Sequence, residues 1–133
     1  MTGRLLVVDD DQGVTATFAR MLALEGYQVR TAQSAEDGLR QVDEAGPDAI
    51  FLDLRMPRVN GLGFIHRLRK RQMHRKTPVV IVTGDYFIDD GMALELKHLG
   101  VEIRFKPLWL DDLVDLARMM LAKNAKTSSP HVC

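Results

Sequence analysis

Three consecutive aspartates, Asp9, Asp10 and Asp11, directly follow the apolar run LLVV near the start of the chain. Carboxylates at this spacing repel one another, and a buried one is stable only if its pKa rises or a positive charge lies beside it. A fourth carboxylate, Asp53, ends a second apolar run, AIFL. Carboxylates brought together from two such runs suit Mg²⁺, which takes hard oxygen ligands and keeps several waters.

Two further polar residues end later apolar runs, Thr83 after VVIV and Lys106 after the weaker run EIRF. A lysine ammonium can contact a phosphoryl oxygen, a threonine hydroxyl can donate to another, and a carboxylate can accept the phosphoryl group as a nucleophile. Each residue taken alone is more often a helix cap, a turn residue or a surface charge. Their recurrence at successive run ends predicts a phosphoryl-accepting site.

The apolar runs are predicted strands, because an uninterrupted apolar run is typical of a strand covered on both faces of a parallel sheet. Residues 27–31 alternate apolar and polar side chains, which indicates an edge strand. Segments with helical periodicity separate the strands, so the chain predicts an α/β domain with helices on both sheet faces. The predicted strands cover residues 4–8, 27–31, 49–52, 79–82 and 102–105. Ligands of such sheets bind beyond the carboxyl ends of the strands, where the polar residues fall.

The composition limits the class of protein. The 133 residues suit one domain, and 18 basic against 18 acidic residues leave no formal charge that would favour nucleic acid or an anionic membrane. There is no apolar run of membrane-spanning length and no signal peptide, and the one cysteine, Cys133, excludes an intramolecular disulfide. We therefore expect a cytoplasmic protein without a membrane span.

Residues 66–76 are densely basic, with six Lys or Arg among eleven positions. A solvated helix face with a loop is the favoured interpretation. Contact with nucleic acid is the alternative, and it is less favoured because no aromatic residue is interleaved for base stacking.

The ordered segments LLVVDDD, FLDLRMPRVNGL, VVIVTGD and FKP resemble the receiver domain of two-component response regulators. The resemblance extends from Arg4 to about Lys123. It implies a flavodoxin-like α/β/α fold of three layers, whose five parallel strands lie in the order 2-1-3-4-5. We expect residues 1–124 to form a receiver domain of the single-domain, chemotaxis-protein-like type, and residues 125–133 to form a short polar tail.

The resemblance implies a role for each charged residue at the strand ends. Asp53 would be the phosphoacceptor, taking its phosphoryl group from a phosphohistidine on a sensor histidine kinase or a histidine phosphotransfer protein. Asp10, Asp53 and the backbone carbonyl of Arg55 would bind Mg²⁺ directly, and Asp9 would act mainly through bound water. Lys106 would contact the phosphoryl group.

The resemblance also implies a switch. Thr83 and Lys106 would be drawn toward the phosphoryl group, and the Lys106–Pro107 peptide bond is usually cis in the family. The surface of the fourth helix, fifth strand and fifth helix would then change, where family members bind targets or dimerise. Because little chain follows Lys123, we expect an unknown separate protein as output and neither a DNA-binding nor a catalytic domain. The chain would assist only its own phosphotransfer and autodephosphorylation.

Arg55 and Asp85 lie two residues beyond Asp53 and Thr83. In the family these two positions flank the phosphorylation site and tune the lifetime of the phosphoryl group. Our hypothesis is that the opposite charges pair across the mouth of the site and impede the hydrolytic water.

The chain departs from the family pattern around its last two strands. Ile103 stands where the family usually has Tyr or Phe, and Phe105 falls on the opposite face by strand alternation. The stretch from Thr83 to Gly100 is about two residues longer than the pattern leads us to expect. Its apolar residues Tyr86, Phe87 and Ile88 are predicted to pack in the core or within the loop, with a sticky exposed loop as the alternative. Trp109 is predicted to pack at the start of the fifth helix.

Two other functions remain open from the residues. Asp9-x-Asp11 loosely resembles the nucleophile motif of haloacid-dehalogenase-type phosphatases, in which Asp9 would be phosphorylated and Asp11 would be the acid/base. The altered switch region instead suggests a receiver-like interaction module that binds its partner without phosphorylation.

Overall fold

The computed structural model describes residues 3–128 of the chain, with side chains described as far as residue 123. The elements are β1 (Arg4–Val8), α1 (Gln12–Leu24), β2 (Gln28–Ala32), α2 (Ala35–Ala45), β3 (Ala49–Leu52), α3 (Gly61–Arg69), a 3₁₀ turn (Gln72–His74), β4 (Val79–Thr83), α4 (Asp90–His98), β5 (Val101–Phe105) and α5 (Leu110–Ser128). Residues 125–128 of the predicted tail are therefore helical, whereas residues 129–133, including Cys133, lie outside the described residues.

The five strands form one parallel sheet in the order β2-β1-β3-β4-β5, which confirms the predicted fold. The three central strands are buried except for Arg4, as uninterrupted apolar runs require, and β2 at the edge alternates exposed with more buried residues. Three strands differ by one residue from those predicted: β2 lies one position later, β4 continues to Thr83, and β5 begins at Val101. Such shifts occur because hydrogen-bonded pairing, and not hydropathy, sets a strand end.

Two apolar layers cover the two faces of the sheet. Alternate residues of a strand point to opposite faces, so Leu6 and Val8 of β1 join one layer while Leu5 and Val7 join the other. The first layer packs against α2, α3 and α4, and the second packs against α1 and α5. This α/β/α sandwich holds the carboxyl ends of the strands together at one edge.

Local polar contacts start the helices where the chain leaves that edge. Asp11 caps α1 by accepting hydrogen bonds from the backbone N–H groups of Gly13 and Val14, and the Ser34 side chain caps α2 by accepting from the N–H of Asp37. Gly61 begins α3 against the end of β3. A Cβ there would lie 2.7 Å from the backbone oxygen of Asp53, so only glycine permits this close approach.

The basic stretch at residues 66–76 serves partly as structure. Arg69 is half-buried and donates to the backbone carbonyls of Leu99, His74 and Thr77 at 2.7–2.9 Å. Arg71 makes two hydrogen bonds to the carboxylate of Asp43. Arg69 thus joins the segments that precede β4 and β5, and Arg71 ties the segment after α3 to helix α2.

Membrane crossing requires a helix that is both long and strongly apolar, and none within residues 3–128 meets both conditions.

Candidate functional site

The carboxylates of Asp9, Asp10 and Asp53 form a cluster at the carboxyl ends of β1 and β3. These strands are neighbours with Val8 paired to Leu52, so the next residues, Asp9 and Asp53, end the two strands side by side. The backbone N–H of Asp53 donates to the carbonyl of Val8 at 2.8 Å, which continues the ladder by one step. One carboxylate oxygen from each aspartate lies within 4.8 Å of the others. Only 3% of Asp9 and 7% of Asp53 is exposed, whereas Asp10 is exposed.

Lys106 supplies a positive charge to this cluster. Its Nζ lies 2.9 Å from Asp9 Oδ2 and 3.9 Å from Asp53 Oδ1. The lysine follows β5, and its side chain reaches past the end of β4 to contact carboxylates on β1 and β3. Among the side chains that the structure describes, one ammonium faces the three carboxylates, so a hard divalent cation fits both the charge and the donor atoms of the cluster.

Burial raises the pKa of Asp53 to about 6, and the negative charges of Asp9 and Asp10 act in the same direction. The Lys106 ammonium and the Leu54 backbone N–H lower that pKa without cancelling the rise. A carboxylate whose charge is opposed in this way gains more from an added cation than an exposed one does.

Thr83 ends β4 and is buried, with 1% of its surface exposed. The register pairs Leu52 with Ile81, so Asp53 lies beside Val82 and Thr83 is the next residue beyond it. Its hydroxyl accepts a hydrogen bond from the backbone N–H of Asp85 at 3.1 Å. The Lys106 backbone N–H donates to the Thr83 carbonyl at 2.9 Å. The main chains of these two candidate switch residues are therefore directly hydrogen-bonded.

An ion pair joins the loops that follow β3 and β4. Arg55 Nε lies 2.5 Å from Asp85 Oδ2, with both side chains partly open to solvent. The backbone N–H of Phe87 and the Arg55 guanidinium lower the pKa of Asp85. The pairing foreseen in the sequence is present in the structure.

The aromatic residues near the site are more exposed than the sequence led us to expect. Phe87 is 89% exposed, Tyr86 60% and Trp109 70%, so the predicted packing of these side chains is wrong. Of the apolar residues after Asp85, Ile88 packs against the core. Tyr86 and Phe87 lie in the loop between β4 and α4, and Trp109 lies in the loop before α5, so neither apolar layer includes these three side chains.

One contact pair near the site was missed by sequence reasoning. The Tyr86 ring stacks on Phe105, with centroids 5.1 Å apart, and its hydroxyl donates to the backbone carbonyl of Lys106. The only sequence signal was the lengthened segment after Thr83 that carries an aromatic residue. Ile103 packs partly buried against the first apolar layer, and the Lys106–Pro107 peptide bond is cis.

A comparison with protein families matches residues 5–118 to the response regulator receiver domain. The transcriptional regulatory protein PrrA of Mycobacterium tuberculosis is 35% identical over 126 residues, which cover 95% of this chain and 53% of that protein. The response regulator MprA of Mycobacterium sp. strain KMS is 31% identical over 130 residues, which cover 98% of this chain and 55% of that protein. The chain thus spans about half the length of these curated relatives.

Among solved structures, the chemotaxis protein CheY4 of Vibrio cholerae superposes with a TM-score of 0.83 over 91% of this chain and 100% of its own. At 24% identity, this likeness concerns the fold. The family match covers most of the chain, and it agrees with the strand order and with the position of the carboxylate cluster. The chain belongs to the response regulator receiver domain family.

Proposed function

We propose that this chain is a phosphorylatable signalling switch in which Asp53 accepts the phosphoryl group. The observation that carries the proposal is the cluster of three carboxylates facing the Lys106 ammonium at the end of the sheet. Asp53 is the buried carboxylate that follows β3, and burial, together with the nearby charges of Asp9 and Asp10, raises the pKa of Asp53 to about 6. Transfer of a phosphoryl group would place new oxygens where a cation and Lys106 can reach them.

In the proposed reaction, an Asp53 carboxylate oxygen attacks the phosphorus of a phosphohistidine on a sensor histidine kinase or a histidine phosphotransfer protein. A P–O bond forms, the P–N bond breaks, and the imidazole leaves with the electron pair. The Asp53 carboxylate must be ionised to attack, and a pKa of about 6 leaves it mostly ionised at neutral pH. The same residues would then assist hydrolysis of the aspartyl phosphate.

The residues that would hold Mg²⁺ are Asp10, Asp53 and the backbone carbonyl of Arg55, with Asp9 contributing through water. When bound, the ion would offset the charge of the carboxylates and of the incoming phosphoryl oxygens. Lys106 would move from Asp9 toward the phosphoryl group over a short path, since its Nζ already lies 3.9 Å from Asp53. Thr83 would donate its hydroxyl to a phosphoryl oxygen after releasing the Asp85 N–H.

The proposed output surface is formed by α4, β5 and α5. Each element carries an exposed apolar side chain there, Leu94 at 57%, Phe105 at 42% and Met119 at 41%. Exposed apolar side chains on three neighbouring elements favour binding of a partner protein or of a second copy of the chain. We propose that residues 1–124 act as the receiver unit that presents this surface.

We further propose that the Arg55–Asp85 ion pair tunes the lifetime of the phosphoryl group. The pair connects the loops after β3 and β4, beside the residues assigned to phosphorylation. Replacing both residues by alanine would remove the ion pair that impedes the approach of the hydrolytic water to Asp53. Dephosphorylation would then be faster. An unchanged dephosphorylation rate in the double variant would contradict the proposal.

Intact-mass measurement with a small phosphodonor and Mg²⁺ tests the assignment. We expect the wild type to gain the mass of one phosphoryl group, and Asp53→Ala to gain none. Asp9→Ala is expected to react more slowly but still to gain it. Loss of the adduct only in Asp9→Ala would support a phosphatase-like nucleophile at Asp9. In that alternative Asp11 would be the acid/base, although its carboxylate caps α1 in this structure. A wild type that gains no mass would favour a phosphorylation-independent interaction module.

A further inference from the structure

Tyr86 makes two contacts with consecutive residues at the end of β5. Its ring stacks on Phe105 at an interplanar angle of 25°, and its hydroxyl donates to the carbonyl of Lys106. An exposed tyrosine in a loop has little reason to take one fixed orientation. Two contacts of different kinds, a ring stack and a directional hydrogen bond, define that orientation here.

Lys106 is held through its main chain by one short segment, residues 83–86. Its N–H donates to the carbonyl of Thr83, and its carbonyl accepts from the hydroxyl of Tyr86. The same segment contains Asp85, whose N–H donates to the Thr83 hydroxyl. Movement of the Thr83 hydroxyl would therefore disturb Asp85, then Tyr86, and through Tyr86 the backbone of Lys106.

The position of the Lys106 ammonium depends on this backbone. Lysine carries a flexible stem of four carbons, so a displaced backbone moves the set of positions that Nζ can reach. Nζ lies 2.9 Å from Asp9 and 3.9 Å from Asp53, so a small displacement of the ammonium, on the order of 1 Å, changes which carboxylate it contacts.

We propose that Tyr86 is a positioning residue for Lys106, acting through the Phe105 stack and the hydrogen bond to the Lys106 carbonyl, which together we call the Tyr86 link. The link keeps Lys106 within reach of Asp53 and couples it to Thr83. This inference rests on the proposed phosphorylation of Asp53, because that reaction gives the position of Lys106 its consequence.

The test compares Tyr86→Phe with the wild type in two measurements. Tyr86→Phe retains the ring that stacks on Phe105 and removes the hydroxyl. We expect faster hydrogen exchange of the Lys106 amide in the absence of metal and phosphodonor. The Lys106 backbone loses the hydrogen bond to its carbonyl and keeps only the bond from its N–H to Thr83. We also expect phosphorylation by a small phosphodonor with Mg²⁺ to slow by about three- to ten-fold, the usual effect of losing one hydrogen bond.

A double-mutant cycle separates positioning from general loosening. If Tyr86 acts through Lys106, the double variant Tyr86→Phe/Lys106→Met is phosphorylated at the same rate as Lys106→Met alone, because Tyr86→Phe has no further effect once Lys106 is absent. A merely structural role would slow both backgrounds equally and would overturn the proposal. Tyr27→Phe is the matched control, because Tyr27 packs against the second apolar layer and is the only other tyrosine of the chain. Its phosphorylation rate is expected to equal that of the wild type.

The two measurements keep this inference distinct from the proposed function. A wild type that accepts no phosphoryl group overturns the proposed function, while exchange of the Lys106 amide still decides whether the Tyr86 link holds the backbone. Unchanged exchange in Tyr86→Phe overturns the link itself. If Lys106→Met abolishes phosphorylation, the cycle cannot be completed. The phosphorylation rate of Tyr86→Phe and its Lys106 amide exchange then decide whether Tyr86 positions Lys106.

Discussion

Partly or fully buried polar side chains lie at both ends of the strands, where they are hydrogen-bonded at the amino-terminal edge and crowded with like charge at the carboxyl edge. At the amino-terminal edge Arg69 donates to three backbone carbonyls, and His74 Nδ1 lies 2.8 Å from the Thr77 hydroxyl. At the carboxyl edge Asp9 and Asp53 are similarly buried, yet Lys106 is the ammonium that faces their cluster. A polar cluster whose groups are hydrogen-bonded stabilises the fold, whereas a cluster of like charges costs stability and keeps a charge available for a ligand.

The largest effect is expected at the amino-terminal edge, where the polar groups are hydrogen-bonded. Arg69→Met should lower the free energy of unfolding by about 2–4 kcal/mol, because three carbonyls lose a charged donor that is partly shielded from water. Denaturant unfolding measures it. Arg67→Met is the matched control on the same helix, since Arg67 is exposed, and it should change stability by less than about 0.5 kcal/mol. Similar losses in both variants would show that the Arg69 contacts contribute little.

Mg²⁺ should stabilise the carboxyl edge, where the like charges of Asp9, Asp10 and Asp53 are crowded. At a free concentration about 100 times its Kd, the ion is expected to raise the free energy of unfolding by about 2.7 kcal/mol. The effect should weaken below pH 6, because protons compete for Asp53, whose pKa is raised to about 6. Unfolding in MgCl₂ and in KCl of equal ionic strength separates binding from screening. Equal stabilisation by both salts would contradict a carboxylate metal site.

Asp53→Asn should stabilise the metal-free protein at pH 7.5. The pKa of Asp53 rises from 3.8 to about 6 on folding, so its protonated form favours the fold below pH 4, and that contribution is lost as the pH rises through 6. Such a shift corresponds to roughly 3 kcal/mol, and because water reaches the cleft we expect on the order of 1–2 kcal/mol.

Unfolding of wild type and Asp53→Asn across pH measures this effect. The variant's advantage should vanish near pH 4. Asp48→Asn provides a control, because Asp48 lies at the opposite edge of the sheet, where its carboxylate accepts from the Arg4 N–H. An Asp53→Asn variant that is less stable than wild type at pH 7.5 without metal would show that the cluster is not strained by its charge.

The smallest effect is expected at His74, with the opposite dependence on pH. Burial and then the charge of Arg71 lower the pKa of His74 below its usual 6.5. The stability contributed by neutral His74 is therefore present above pH 6.5 and lost as the pH falls. His74→Gln should flatten this acid-side loss, whereas His98→Gln on the exposed surface should not. A curve that keeps the wild-type slope in His74→Gln would contradict the assignment.

Sequence patterns predicted the strands well because burial on both faces imposes a simple rule. The limits of β1 and β3 agree with the predicted ones residue for residue, since apolar runs end there in charge. The Asp11 cap was also predictable, because capping depends on neighbouring residues only. Tyr86, Phe87 and Trp109 were misjudged because hydropathy favours burial, while the sheet ends before a layer can cover them.

The roles proposed for Asp53, Thr83 and Lys106 are predictions that the phosphorylation experiments address. The positions of these residues depend on contacts between distant parts of the chain. Lys106 contacts Asp9 across a sequence separation of 97 residues, a pairing that no local pattern contains. The same holds for the stack between Tyr86 and Phe105, which depends on a loop and a strand meeting at one corner of the fold.

The amino-acid sequence by itself determined the order of strands and helices, the parallel sheet and the set of polar residues at the strand ends. It could do so because periodicity, capping and burial are properties of short segments. Only the tertiary structure decided which carboxylates share one space, where Lys106 places its charge and which aromatic rings stay in solvent. Those outcomes depend on distances between segments far apart in the chain, and on which surface the packed layers leave uncovered.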